Sequence, residues 1–294
     1  MAHAQPGRPA RVSLLRHDGD DHGRGAVSVD LYSVTEFAPA PASAWRDGDV
    51  WLGGGTWLFS QPQPGVRRLL DLTAFGWPSL AETADGLTIG ATCTLAELAR
   101  WQPARRDFEP AGKLARQCCD ALLGSFKVQN MATVGGNICL SLPAGPMTSL
   151  AASLDGVATL HALDGGAREM PVRDFVTGDG SNLLRPGELL RQVFIPAASL
   201  EARTAFRQVS LSPVGRSAVL VIARRDTSQT VVTITAATSR PVQLRFPAMP
   251  APAEAVIALD DERPGYLDDV HGNRPWREAM TRRAVAEVIT ELAG

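Results

Sequence analysis

The sequence predicts an α+β protein in two parts, an α/β first domain and an α+β second one, with the boundary near residue 199. Three observations carry this. Up to Pro196, short apolar runs alternate with helix-spaced segments and are broken by Gly and Pro. Beyond it, apolar runs at 205–209, 217–223 and 229–236 follow one another like a three-stranded meander. Helix-spaced segments at 253–259 and 275–292 then close the chain. A length of 294 residues suits about two domains and allows a sizeable core.

Taken in order, residues 1–27 mix Pro, Gly, His, Asp and Arg without periodicity and are expected to form a flexible tail, in which 11–16 could make a short strand. Asp49-Val50-Trp51-Leu52 reads as a buried strand stopped by Gly53, Gly54 and Gly55, and 67–72 and 87–91 read as the next two. Thr94 and Glu97 have the spacing of a capping box, each side chain bonding the other's backbone N–H, so a helix opens there and runs to Trp101. Residues 110–123 carry apolar side chains at helical spacing, with Gly124 as the expected C-cap. Residues 157–163 and 168–172 flank the turn Asp164-Gly165-Gly166 as a hairpin, and 189–195 is a strand closed by Pro196. The Pro-rich stretch 241–252 reads as a segment crossing the second domain.

Lys+Arg 29 against Asp+Glu 31 leaves a net charge of −2, so there is no basic excess to neutralise nucleic-acid phosphates. The N-terminus lacks the apolar core of a signal peptide and no apolar run approaches the length of a membrane span; a cytoplasmic location is the resulting expectation. Cys93, Cys118, Cys119 and Cys139 form no CxxC pair and have no His at zinc-ligand spacing, so they read as buried small hydrophobes rather than ligands of a cluster or a metal.

Two glycine clusters stand out: Gly53-Gly54-Gly55-Thr56 after the first strand, and Thr133-Val134-Gly135-Gly136-Asn137. Consecutive glycines tolerate positive φ and leave room above the backbone, so successive N–H groups can face one concavity that takes an anion such as a phosphate. Thr56 and Thr133 can each add a hydroxyl. Two such loops suit the pyrophosphate of a dinucleotide; the alternative is that each is only a tight turn. The usual nucleotide motifs are absent: 53–58 breaks GxGxxG at its third glycine, and no GxxxxGK[ST] occurs. No HExxH or GxSxG is present either, and the five histidines are scattered. The chain reads as a holder of a cofactor with little acid–base chemistry of its own. Trp51 and Trp57 are stacking candidates or core residues, and Glu188 reads as the opening of a strand after the Pro186-Gly187 turn.

The run Asn130-Met-Ala-Thr133-Val-Gly-Gly-Asn137 with Pro143-Ala-Gly145 resembles the ATIGGN…PAG signature of the FAD-binding (medium) subunits of molybdenum hydroxylases, the xanthine dehydrogenase and carbon monoxide dehydrogenase flavoprotein family. Gly53-Gly-Gly-Thr56 resembles that family's first pyrophosphate loop. Asp174-Phe175, Leu184, Pro186-Gly-Glu188-Leu-Leu190 and Ile195-Pro196 resemble its next stretch, Ala205-Phe206-Arg207-Gln208 its Phe-x-Lys strand, and His271-Gly-Asn with Trp276-Arg277 the opening of its last helix. The resemblance covers roughly 28–294 with the motifs in the family's order.

The resemblance implies a two-part FAD-binding domain of the vanillyl-alcohol-oxidase type at 28–198, then a smaller domain at 199–294 with a three-stranded antiparallel sheet and helices. Carried over, Leu52, Gly53, Gly54, Gly55, Thr56, Trp57 and Leu58 would wrap the FAD pyrophosphate, and Thr133, Gly135, Gly136 and Asn137 would form the second loop. Ile138 would pack near the flavin, and Leu189 or Leu190 would touch the isoalloxazine. Arg207 would face the flavin or a phosphate, or else serve as a surface ion-pair partner. Pro146, Arg207 and Gly215-Arg-Ser217 depart from the residues most relatives carry. The implied function is that of a subunit carrying non-covalent FAD, which takes electrons from 2Fe–2S clusters on a small partner chain. A large partner would hold the molybdenum cofactor, and NAD, O2 or another small molecule would accept the electrons. The alternatives are a stand-alone flavoenzyme of the same fold, similar to UDP-N-acetylenolpyruvoylglucosamine reductase, and a flavin-free scaffold subunit.

Overall fold

The computed structural model describes residues 33–40 and 45–294. The expected tail at 1–27, with its short strand at 11–16, lies outside the described residues. In chain order the strands are β1 (Glu36–Pro39), β2 (Asp49–Leu52), β3 (Arg68–Asp71), β4 (Leu80–Glu82), β5 (Gly86–Gly90), β6 (Val157–His161), β7 (Ala167–Pro171), β8 (Val176–Gly178), β9 (Ser181–Asn182), β10 (Leu189–Pro196), β11 (Arg203–Val209), β12 (Val219–Arg225), β13 (Thr230–Thr235) and β14 (Val242–Phe246). The α-helices are α1 (Leu95–Ala99), α2 (Glu109–Asp120), α3 (Phe126–Met131), α4 (Val134–Leu140), α5 (Pro146–Ser153), α6 (Val172–Phe175), α7 (Ala197–Leu200), α8 (Pro252–Glu262) and α9 (Arg274–Ala293).

A parallel sheet in the order β1-β3-β2 opens the described chain, over a small core of Leu52, Val66 and Leu69. An antiparallel sheet in the order β4-β5-β10-β6-β7 follows, with β10 in its centre. Helices α1, α2, α4 and α5 cover it, and Leu87, Ile89, Leu98, Leu114, Ile138 and Leu160 fill the space between. The Thr94/Glu97 capping box is present as expected: Glu97 N–H donates to Thr94 Oγ1 at 3.2 Å and Thr94 N–H to the Glu97 carboxylate at 2.7 Å.

The C-terminal sheet is a meander of four strands, β11-β12-β13-β14, where the sequence predicts three. The extra strand falls inside the Pro-rich stretch read as a crossing segment. Pro241 and Pro247 flank β14 rather than interrupt it, and β14 lies at the sheet's edge, where a missing N–H costs no ladder bond. A second correction concerns α2: it ends at Asp120 with Ala121 as C-cap, and Gly124 instead precedes Ser125, the N-cap of α3. The helices α4 and α5 carry no amphipathic signal, the first because two glycines sit in its first turn, the second because all eight of its residues are buried.

The two parts share a core across their seam. β12 buries both faces: Val219, Val221 and Ala223 pack with α8 and α9, while Leu220 and Ile222 join the core of the first part. Ser149 of α5 meets the Thr235 hydroxyl at 2.6 Å, and Gln243 donates to the Ala152 carbonyl at 2.7 Å. Asp155 accepts from both Arg224 and Arg245.

Candidate functional site

The two glycine clusters meet in space. A Cβ on Gly53 or on Gly136 would stand 2.9 Å from Thr133 Oγ1, and one on Gly54 would stand 1.5 Å from the Met131 carbonyl oxygen. Of the three glycines after β2 only Gly55 has a positive φ, +71°. The glycines at 53, 54 and 136 are thus required by close approach, and only the one at 55 by conformation.

The second cluster is a helix start rather than an open loop. Thr133 is the N-cap of α4, and its hydroxyl accepts from Gly136 N–H at 3.1 Å. Val134 N–H donates to the Cys93 carbonyl at 2.8 Å and Gly135 N–H to the Ala91 carbonyl at 2.9 Å. The backbone donors of 134–137 are therefore used on protein acceptors, which leaves the Thr133 hydroxyl hydrogen and the Asn137 side chain as the donors this segment can offer a ligand. The first cluster differs: among the described residues, the N–H groups of 54–58 donate to no protein acceptor. Beside them stand the Thr56 hydroxyl and the Asn137 side chain. Asn137 Oδ1 accepts from Met147 N–H at 3.0 Å, which fixes the amide orientation and leaves its NH2 as the free half.

Two cavities flank this junction and share Val50, Trp51, Gly53, Gly136 and Cys139. The first, about 470 Å³, is lined by Gly54, Gly55, Thr56, Trp57, Leu58, Thr133 and Asn137, together with Leu122 and Leu123. Among the described residues, Arg216 is the one charged residue lining it. The second, about 590 Å³, is lined by Gly135, Asn182, Glu188, Leu189 and Leu190, with Trp45 packed on Trp51 at a centroid distance of 5.1 Å. Each is of the size that takes a small organic ligand.

Most of the expected residues therefore gather here, and three do not. Leu52 points into the small core with Val66 and Leu69, and Ile138 is fully buried in the main core. Arg207 lies on β11 and pairs with Glu287 at 3.0 Å and Glu291 at 2.6 Å, both on α9, which is the ion-pair alternative. Arg216, Asn182, Cys139, Trp45, Leu122 and Leu123 were not among the expected site residues. They sit at element ends and in connections, where periodicity carries no signal; the departure at Gly215-Arg216-Ser217 was a visible hint for Arg216.

The polar groups of the second cavity are held by local pairs. Arg168 grips Glu188 with two bonds, 2.9 and 2.7 Å, and keeps that carboxyl below its ordinary range. Asp49 is held low in the same way by Arg68. Burial pushes the Cys139 thiol up to about 12, so it is a neutral wall and not a thiolate. Among the described residues no group of three or more His, Cys, Asp or Glu could hold a metal ion, and no helix is long and apolar enough to cross a membrane.

Known proteins match this chain in sequence and in fold. Residues 39–198, more than half of the chain, match the family described as FAD binding domain in molybdopterin dehydrogenase. The chain is 34% identical over 137 residues to aldehyde oxidase 2 of Cavia porcellus, covering 44% of this chain and 10% of that protein. It is 29% identical over 125 residues to the nicotinate dehydrogenase FAD-subunit of Eubacterium barkeri, covering 42% of this chain and 40% of that one. The chain thus matches well under half the length of these relatives. Its fold superposes on a chain of quinoline 2-oxidoreductase from Pseudomonas putida 86, with a TM-score of 0.72 and 19% identity over 88% of this chain and 96% of that one. CO dehydrogenase from Oligotropha carboxidovorans gives a TM-score of 0.74 at 19% identity, with the same coverage. With the interlocked glycine segments lying inside the matched residues, the chain belongs to the family of FAD-binding domains of molybdopterin dehydrogenases.

Proposed function

We propose that this chain is the FAD-carrying electron-transfer subunit of a molybdenum hydroxylase complex, with 28–198 as its FAD-binding domain and 199–294 as a smaller domain that completes the cleft. The observation that carries this reading is the loop at 54–58, whose N–H groups have no protein acceptor among the described residues, at the junction of two cavities. The residues present would suit a dinucleotide, with its phosphates held at the junction and the two cavities available to its ring systems. FAD supplies the redox chemistry when bound, accepting and releasing electrons one or two at a time.

The chain's own residues bind and orient. The N–H groups of 54–58, the Thr56 hydroxyl and the Asn137 NH2 would hold the pyrophosphate, and the bare face of Gly136 leaves room for it. Thr133 caps α4 by accepting from Gly136 N–H, and its hydroxyl hydrogen would remain to donate to the ligand. Leu189 and Leu190, beside the neutral Cys139, would exclude water around the ring in the second cavity. The clusters and the molybdenum cofactor would reside on partner chains, a small 2Fe–2S subunit and a large molybdopterin subunit, in the cytoplasm. NAD, O2 or another small molecule would be the acceptor.

Acid precipitation of the purified chain tests the reading. FAD is expected in the supernatant at about one per chain, with no iron or molybdenum by metal analysis. Isolation from the native host is expected to bring down a cluster-bearing chain and a molybdopterin chain. A colourless chain that takes up no FAD, or flavin left on the precipitate, would overturn it.

A further inference from the structure

Arg277, in the first turn of α9, has its side chain only 2% exposed and lines neither cavity. A buried guanidinium is costly unless its donors are used, and here they are used on backbone. Its Nε donates to the Gly272 carbonyl at 2.9 Å, and one terminal nitrogen donates to the carbonyls of Ala218 at 2.6 Å and Ala236 at 2.7 Å. The other terminal nitrogen meets Asp269 at 2.6 Å. Ala218 and Ala236 flank the open end of the β12–β13 pair, where Leu220 faces Thr235, so the fork closes an end of the sheet.

Both carbonyls sit directly behind the first cavity. Ala218 follows Arg216 and Ser217, which line it, and Ser217 reaches the carbonyl of Ala121, another lining residue, at 3.5 Å. Ala236 has a φ of +64°, a conformation an alanine adopts only when its surroundings impose it. In that conformation its N–H donates to the Pro143 carbonyl at 2.8 Å, between the lining residues Leu142 and Ala144. One guanidinium therefore anchors two backbone segments: one runs directly from the lining residues Arg216 and Ser217, and the other bonds the chain between the lining residues Leu142 and Ala144.

We infer that Arg277 is a positioning residue for the first cavity, acting through Ala218 and Ala236 to hold the walls at Arg216–Ser217 and Leu142–Ala144 at the spacing the cofactor needs. This rests on the reading that the cavity takes part of FAD. A lysine keeps the charge but has one nitrogen where the guanidinium uses three, so it cannot hold the two carbonyls, Gly272 and Asp269 together.

The test is titration of FAD into the deflavinated full chain, with the visible circular dichroism of the bound flavin as a second readout and thermal unfolding as the fold control. Arg277→Lys and Arg277→Gln are expected to raise the FAD dissociation constant by about tenfold or more and to change the flavin dichroism, at a temperature where the apo chain is folded. Arg282→Gln, which removes a surface pair with Asp260 and Glu278, is expected to leave both readouts at the wild-type value. Asp269→Asn releases a single anchor and is expected to weaken binding by about threefold; it decides the matter if both Arg277 variants fail to fold. Wild-type affinity and dichroism in a folded Arg277→Lys chain, or in Asp269→Asn when that variant alone folds, would overturn the inference. A wild-type chain with no affinity for FAD would instead overturn the proposed function, and this inference with it.

Discussion

Gly54 lies so close against the main chain of Met131 that a Cβ on it would stand 1.5 Å from the Met131 carbonyl oxygen and 2.5 Å from its carbon. The loop after β2 and the segment leading into α4 are therefore in backbone contact, with no side chain between them. That contact, rather than any special φ, is what glycine supplies at this position.

Gly54→Ala is accordingly expected to force the two segments apart, costing about 3 kcal/mol and abolishing FAD binding. Gly136→Ala should be milder, because its Cβ would meet only the Thr133 hydroxyl at 2.9 Å and disturb a helix cap worth about 1 kcal/mol. Flavin-to-protein ratio and melting temperature of the two variants check the order; equal behaviour would contradict it.

Glu188 is buried to 6% exposure beside an Arg168 that grips both its oxygens, and its pKa is held below the ordinary 4.5. A depressed carboxyl stabilises the fold above its unfolded pKa, and the contribution drains away as pH falls through 4.5 toward the folded value. Glu188→Gln should cost about 2–3 kcal/mol at pH 7. The gap between variant and wild type should shrink as pH drops below that range. Urea midpoints measured from pH 7 to pH 3 show whether the two curves converge.

Asp155 ties the first part of the chain to the last, accepting from the buried Arg224 and from Arg245. Asp155→Asn leaves Arg224 with Asp226 at 2.9 Å and the Ser199 hydroxyl at 3.0 Å, so the loss should be partial, about 2–3 kcal/mol. Because β12 contributes Leu220 and Ile222 to the first core, unfolding should remain a single transition with unchanged m. Two resolved transitions would show that the halves separate.

The thiols offer a simple check. Burial pushes Cys93, Cys119 and Cys139 up to about 12, and Cys118 is raised as well. No thiol should react rapidly with an aromatic disulfide reagent at pH 8 in the native chain, and all four should react once it is unfolded. A fast-reacting native thiol would place that cysteine in a more open setting.

Much of the fold was legible because much of it is local. The capping box at Thr94 and Glu97 needs only two side chains three residues apart, and the hairpin of β6 and β7 only a Gly-Gly turn between apolar runs. The helix α5 was not legible, since a helix buried on every side has no polar face to mark its period. The site was legible as two glycine clusters, but not as what each does. Nothing local distinguishes a glycine that frees an N–H for a ligand from Gly135, which lets α4 pack so close to Ala91 that a Cβ there would stand 2.7 Å from the Ala91 carbonyl oxygen.

The amino-acid sequence by itself determined the succession of strands and helices, the glycines at 53–55 and 135–136 and the scarcity of metal ligands, all of them properties of residue type and spacing. The tertiary structure decided which backbone donors stay available, that Arg207 spends its charge on Glu287 and Glu291, and that Arg277 closes the sheet behind the cavity. The reason is physical: a hydrogen bond or a steric contact is settled by whatever group arrives from elsewhere in the chain, and Glu287 reaches Arg207 from 80 residues away.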